Sequence, residues 1–322
     1  MAAVAIRRFA GVGILFGLAM VASAEVEVAP RIERLDAAAC GEIFSADAAV
    51  EKLAEGFKFT EGPVWVREGG GYLVFSDIPN DELKRWTRAG GVETFRKPSR
   101  HTNGNTLDRE GRLVSCEHGA RRVSVTEKDG GVRALAASHG GKRFNSPNDA
   151  AVKSDGSVWF TDPPYGLKQS GGEKEMDGHF VFRLDPGTGE TRVVAEDFDM
   201  PNGICFSPDE ARLYVADSGK PKHIRVFRVA SGGALEGGEV FAEIDVGGPD
   251  GIRCDDGGRL WSSSGDGVQV FLLDGRRIAR IVLPKGAANV CFGGSEGRTL
   301  FMTARDRLYA VETKVRGASV GR

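Results

Sequence analysis

From about residue 50 onward the chain is built of short stretches in which apolar and polar positions alternate, each bounded by Gly, Pro, Asn or Asp. Period-two alternation predicts half-buried strands, and the bounding residues predict tight turns between them. The pattern repeats. Six turns share one form: Thr60-Glu61-Gly62-Pro63, Thr102-Asn103-Gly104-Asn105, Ser146-Pro147-Asn148-Asp149, Met200-Pro201-Asn202-Gly203, Gly248-Pro249-Asp250-Gly251 and Ala287-Ala288-Asn289-Val290. Each leads through a short strand and a turn, Gly-containing in five of the six, into a second strand, such as Val158-Trp159-Phe160-Thr161-Asp162. A third alternating strand follows, for example Ile224 to Val229, and a fourth segment such as Thr191 to Ala195 closes the unit.

Four strands per unit, with units about 40–50 residues apart, are the signature of a β-propeller blade. Six units predict an all-β fold, a six-bladed β-propeller of four-stranded blades. A lone blade has two open edges and two apolar faces; stacking blades in a ring buries the faces and removes most of the edge. The last unit runs short after Leu308-Tyr309-Ala310-Val311, so the segment from Val50 to Phe57 is expected to supply its outer strand and latch the ring. A two-sheet sandwich is the alternative architecture with the same turn spacing.

The start of the chain follows different rules. Arg7 and Arg8 precede an apolar run from Phe9 to Val21, and Ala22-Ser23-Ala24 has the small-x-small form of a cleavage site. This predicts a cleavable signal segment over 1–24, an N-terminal extension over 25–48, the propeller over 49–315 and a tail over 316–322. It also predicts a periplasmic or secreted protein with no membrane association after cleavage, the apolar run being too short to span a bilayer. Export permits disulfides, yet Cys40, Cys116, Cys205, Cys254 and Cys291 are odd in number and lack metal-site spacing; they read as small buried hydrophobes. Composition adds two points. Glycine, at 45 residues, is about twice its usual share, as a turn-rich fold requires. Lys plus Arg (43) nearly balances Asp plus Glu (45), which argues against nucleic acid as a partner. Oligomeric state is not readable from the sequence.

In a propeller the residues just before each inner strand meet near one axis. Here they are Glu61, Asn103, Asn148, Asn202, Asp250 and Ala288. Asn and Asp are ordinary turn formers, but Glu is not. Two carboxylates aimed at one axis repel unless a positive charge lies between them. A divalent cation meets that need: Glu61 and Asp250 neutralise it, and Asn148 and Asn202 add carbonyl oxygens. An all-oxygen set suits Ca²⁺ foremost, with Mg²⁺, Mn²⁺ or Zn²⁺ as alternatives. Ordinary Asx turns around an empty channel are the competing reading.

The ordered set Phe59-Thr60-Glu61-Gly62-Pro63, Asn145-Ser146-Pro147-Asn148-Asp149, Phe160-Thr161-Asp162-Pro163-Pro164-Tyr165-Gly166, Pro201-Asn202-Gly203 and Pro249-Asp250-Gly251 resembles the gluconolactonase/regucalcin (senescence marker protein) family over about residues 50–312. The resemblance implies a six-bladed propeller with one catalytic divalent metal, held by Glu61, Asn148, Asn202 and Asp250. It implies a metal-dependent lactonase that opens a sugar lactone to the aldonic acid, with Asp250 also the catalytic base. Asn103, Asn105, His101, His118 and Tyr165 are the expected substrate contacts, Tyr165 opening a Gly-rich insertion that reads as a loop over one mouth. Hydrolysis of another ester or a phosphotriester at the same site, or a non-catalytic ligand-binding propeller, are the alternatives.

Overall fold

Hydrogen bonding gathers the strands into five antiparallel sheets and one small hairpin. The computed structural model describes residues 1–2 and 27–318, so the expected signal segment lies almost wholly outside the described residues, as does the end of the tail. Three sheets are simple four-stranded meanders, covering Thr102–Leu107 to Val132–Ala136, Ala150–Val152 to Thr191–Ala195, and Pro201–Phe206 to Leu235–Glu243. A fourth runs from Ile252–Cys254 to Arg277–Val282 and gains a fifth, outer strand, Arg31–Arg34.

The expectation of six separate four-stranded blades is corrected here. The first and last units share one six-stranded sheet, giving five sheets in all. The reason lies in two long strands: Thr299–Glu312 runs unbroken through two strand positions of the last unit, and Glu51–Val66 passes from the last unit into the first without a break. They pair with each other from Glu51 opposite Ala310 to Thr60 opposite Arg305. Residues near 50–57 therefore do latch the end of the chain to its beginning. The innermost strands still follow one another around a closed ring, in the order 51–66, 102–107, 150–152, 201–206, 252–254, 289–293 and back to 51–66. The result is an all-β propeller.

Apolar side chains of adjacent sheets form the core between them. Val114, Cys116 and Val125 of one sheet meet Phe160, Phe182 and Leu184 of the next; Trp159 and Val181 then meet Ile204, Phe206 and Val215. Trp261 is fully buried, and its indole nitrogen is satisfied by Asp255 Oδ2 at 3.1 Å. Burying one such large apolar side chain contributes about 1.5–3 kcal/mol. The N-terminal extension adds a short helix, Ala37–Ile43, capped by the Asp36 carboxylate accepting from Ala39 N at 3.0 Å. It buries Cys40 and Ile43 against the same core, with the following Phe44 edge-on to Trp261 at 5.6 Å. All five cysteines are buried free thiols.

Two repeated devices carry the fold to the hub. At the ends of second strands, Asp77, Asp162 and Asp217 each accept two backbone N–H groups of the loop leading into their own inner strand. The second N–H taken belongs to Phe59, Ser146 and Met200, each two residues before Glu61, Asn148 and Asn202. Glu117 stands at the same place but instead binds Arg122 and Ser124. The second device is close approach of neighbouring inner strands. A methyl group on Gly203 would lie 2.1 Å from Asp250 O, and one on Gly251 would lie 1.9 Å from Asn289 Cγ. Glycine after the hub side chain is thus a packing requirement.

Candidate active site

Those devices deliver a cavity of about 640 Å³ at one mouth of the channel. Glu61, Asn148, Asn202 and Asp250 line it together, and so do Asn103, His118 and Tyr165. Glu61, Asn148 and Asn202 are 3–5% exposed, and Asp250 is the most open of the four. Glu61 is tightly held: its Oε2 accepts from Gly62 N at 2.5 Å and from Asn289 Nδ2 at 2.9 Å.

Two expected contacts are placed elsewhere. Asn105 is buried, with its amide nitrogen donating to Gly62 O at 2.9 Å and Ser76 Oγ at 3.0 Å, and its Oδ1 accepting from Ser115 Oγ. It ties two inner strands together and borders the opposite cavity. His101 is absent from the lining of the candidate site; its Nδ1 meets Ile78 O at 2.9 Å.

The electrostatics are those of crowded carboxylates. Burial first, then the charges of Asp250 and Asp149, raise Glu61 well above the usual carboxylate range. Asp250 is pushed up to about 7 by burial and by Asp149, against the opposing pull of the Asn202 amide and Arg305. His118 is pushed down to about 3 by burial, with His101 adding to the shift, so its ring is neutral at ordinary pH. Its Nε2 lies 3.3 Å from Asn103 Nδ2. A neutral ring accepting that N–H leaves Asn103 Oδ1 free, and this buried oxygen has no hydrogen-bond partner among the described residues.

The donor set fits a hard divalent cation. The Asp250 carboxylate raises the proton affinity of buried Glu61, the neighbouring donors are neutral amides, and one amide oxygen is orphaned. Among the described residues no group of three or more His, Cys, Asp or Glu side chains is arranged for a metal, in keeping with a site half made of amides.

Sequence reasoning missed several residues. Asp149 stands where four other heads carry glycine, and its side chain fills the channel beside Gly104. It pairs with Arg253, whose Nη1 lies 3.0 Å from Asp149 Oδ2. That substitution of Asp for Gly was the available signal. The sixth head reaches the site through Asn289, one residue past Ala288. Tyr165 is set by Ser146, whose Oγ donates to Pro163 O at 2.5 Å and accepts from Gly166 N at 2.8 Å. Gln169, from the short helix Leu167–Ser170, also faces the cavity, so the insertion does border this mouth. The other end of the channel holds a larger cavity of about 790 Å³, bordered by Arg253 and Cys205, Cys254 and Cys291, without a comparable gathering of carboxylates and amides.

A radial all-β fold with acidic and amide side chains converging on one end of its axis defines a propeller with a hub-centred site. The chain belongs to the SMP-30/gluconolactonase/LRE-like family, whose pattern matches residues 59–306. It is 34% identical over 311 residues to a gluconolactonase of Zymomonas mobilis, covering 88% of this chain and 85% of that one. It is 30% identical over 254 residues to a 6-deoxy-6-sulfogluconolactonase of Pseudomonas putida, covering 76% and 82%. Among solved structures it resembles a gluconolactonase of Xanthomonas campestris, at 38% identity and a TM-score of 0.82 over 88% of this chain and 94% of that one. A regucalcin of Agrobacterium tumefaciens, described as a calcium-binding protein, shares the fold at 22% identity and a TM-score of 0.71, over 85% and 98%.

Proposed function

We propose that this protein is a lactonase that hydrolyses a sugar lactone to the aldonic acid. The observation that carries the reading is the convergence of Glu61, Asp250, Asn148 and Asn202 on one cavity, in a chain similar over most of its length to gluconolactonases. Glu61, Asn148, Asn202 and Asp250 would hold one divalent cation, with Ca²⁺ favoured by the all-oxygen donors. When bound, the ion supplies Lewis-acid polarisation of the ester carbonyl.

The chain's own groups account for the rest. Asp250 accepts a proton at a carboxylate oxygen from the water that adds to the carbonyl carbon. The ring C–O bond then breaks, and the departing ring oxygen takes the proton held on Asp250 to become a hydroxyl, which restores the carboxylate. Asn103 Oδ1, freed by the His118 contact, accepts from a sugar hydroxyl. Tyr165 brings a hydroxyl to the rim; burial, with the charge of Asp250, pushes it up to about 12, so it is a neutral donor throughout the working range. Glu61 is fixed by Gly62 and Asn289 and is therefore pre-oriented.

Glucono-1,5-lactone and a pH indicator test the reading against the spontaneous rate. A chelator is expected to abolish enzymatic acidification, and added Ca²⁺, Mn²⁺ or Zn²⁺ to restore it to differing extents. Glu61→Gln and Asp250→Asn are each expected to lose at least about 100-fold in kcat/KM. Full activity in both would refute the assignment. The same proposal places the mature protein in the periplasm or outside the cell, starting near Glu25. Cell fractionation with N-terminal sequencing checks this, and a full-length cytoplasmic protein would refute it.

A further inference from the structure

The rim of the candidate site is charged on one side only. Besides Glu61 and Asp250 at its floor, the charged side chains bordering the cavity are Lys58, Lys285 and Arg305. All three come from the last unit or its flanks: Lys58 from strand 51–66, which leads from it into the first unit, Lys285 from the loop before strand 289–293, and Arg305 from the bend of strand 299–312. Lys285 is engaged, its Nζ lying 2.7 Å from Asp306 Oδ2. Lys58 and Arg305 are exposed and have no ion-pair partner among the described residues. Elsewhere on this protein arginines are commonly paired, so an unpaired guanidinium beside a cavity is informative.

Arg305 is also placed with some effort. Its backbone has φ +57°, a region that a residue with a side chain rarely adopts. Its Nε donates to Lys285 O at 3.1 Å, and its guanidinium lies 6.0 Å from the Phe59 ring. These contacts leave the two terminal nitrogens for a partner, in the fork geometry that suits a carboxylate, sulfonate or phosphate. The opposite rim, with Tyr165 and Gln169, offers neutral hydrogen-bonding groups.

We infer that the lactone accepted here carries a second, anionic group away from the scissile ester, and that Arg305 and Lys58 bind it while Tyr165 and Gln169 face the neutral polyol side. This rests on the lactonase reading for its reaction and adds the substrate class. The shared chemistry is a fixed negative charge; its source, a carboxylate, a sulfonate or a phosphate, is for experiment to distinguish.

The test compares kcat/KM for glucono-1,5-lactone, 6-phosphoglucono-1,5-lactone and a glucaric acid lactone, with wild type, Arg305→Gln and Lys58→Gln. Wild type is expected to favour at least one anionic lactone, and added salt to erode that preference. In Arg305→Gln the anionic-to-neutral ratio is expected to fall about tenfold, equivalent to about 1.4 kcal/mol. Arg305→Lys, which keeps the charge without the fork, is expected to recover part of it. An unchanged ratio in both Gln variants overturns the inference and leaves the lactonase reading intact. Should wild type open none of the lactones, the reaction assignment fails separately. Calorimetric titration with gluconate and 6-phosphogluconate then decides the anion site: an Arg305-dependent preference for the phosphorylated acid supports it, and equal binding overturns it.

Discussion

Replacing Asp149 by Asn removes one charge from the channel while leaving its shape almost unchanged. Asp149 Oδ2 and Oδ1 accept from Arg253 Nη1 and Nη2 at 3.0 and 3.3 Å. The Asp149 side chain is 1% exposed and that of Arg253 is 19% exposed. Breaking a buried pair by removing one member costs about 3–5 kcal/mol, because the other charge stays desolvated. Arg253 keeps a bond from Nη1 to Ile252 O at 2.7 Å and is not wholly dry, so the cost belongs at the lower end, about 3 kcal/mol. At about 2 °C per kcal/mol for a chain of this size, Tm should fall by about 6 °C. Thermal melts and urea titrations followed by circular dichroism measure this directly. Arg253→Met and the double variant complete the cycle. With both charges gone, the double variant should be more stable than the two single losses added together imply, by at least about 1.5 kcal/mol. A melting point for Asp149→Asn within about 1 °C of wild type, or strictly additive losses, would show that the pair does not support the hub.

Further outcomes follow from the packing and burial around the hub. Gly251→Ala should displace Asn289, costing about 1–3 kcal/mol and, by releasing Glu61, lowering lactone hydrolysis as well. Gly41→Ala, in the Ala37–Ile43 helix with open space around it, should instead stabilise by about 0.5–1 kcal/mol; paired melting curves that rank the two variants the other way would contradict the close-approach argument. His118 is held down to about 3 in the folded protein, while the unfolded chain takes up its proton near 6.5. Its contribution is complete above pH 6.5 and is lost as pH falls from there towards 3, at about 1.4 kcal/mol per unit, or about 2 kcal/mol by pH 5. His118→Gln should flatten that part of the stability–pH curve measured by urea titration, and an unchanged slope would remove His118 as the cause.

Much of the hub was legible because repetition makes single residues informative. Glu61, Asn148, Asn202 and Asp250 occupy one place in a recurring turn, and closing the ring brings that place to the axis. Asp77, Glu117, Asp162 and Asp217 also recur at one place, the ends of second strands, and such repetition favours a capping role; the three aspartates take it and Glu117 does not. Asn105 shows where the logic stops. Plain alternation puts Asn103 and Asn105 on one face, but the pairing register shifts between Thr102 and Asn105, and Asn105 turns to brace its neighbours. The shared sheet was hidden too: alternation tells which face a residue takes, and it does not tell whether a hydrogen-bonded ladder continues through a bend. Nothing in the repeat marks Arg305 and Lys58 as neighbours, so only the folded seam shows them together at the rim.

The pairing of residues 51–55 with 307–310 has a consequence for how the molecule comes to exist. Strands roughly 250 residues apart must meet before the circle is complete, so the contact that shuts it is among the most distant the chain can make. A ribosome releasing the polypeptide in order cannot deliver that contact until residues 305–310 have been made. Earlier meanders can form as they emerge, but the partner of Glu51 arrives last, and a premature stop before residue 305 would leave an open arc in place of a wheel.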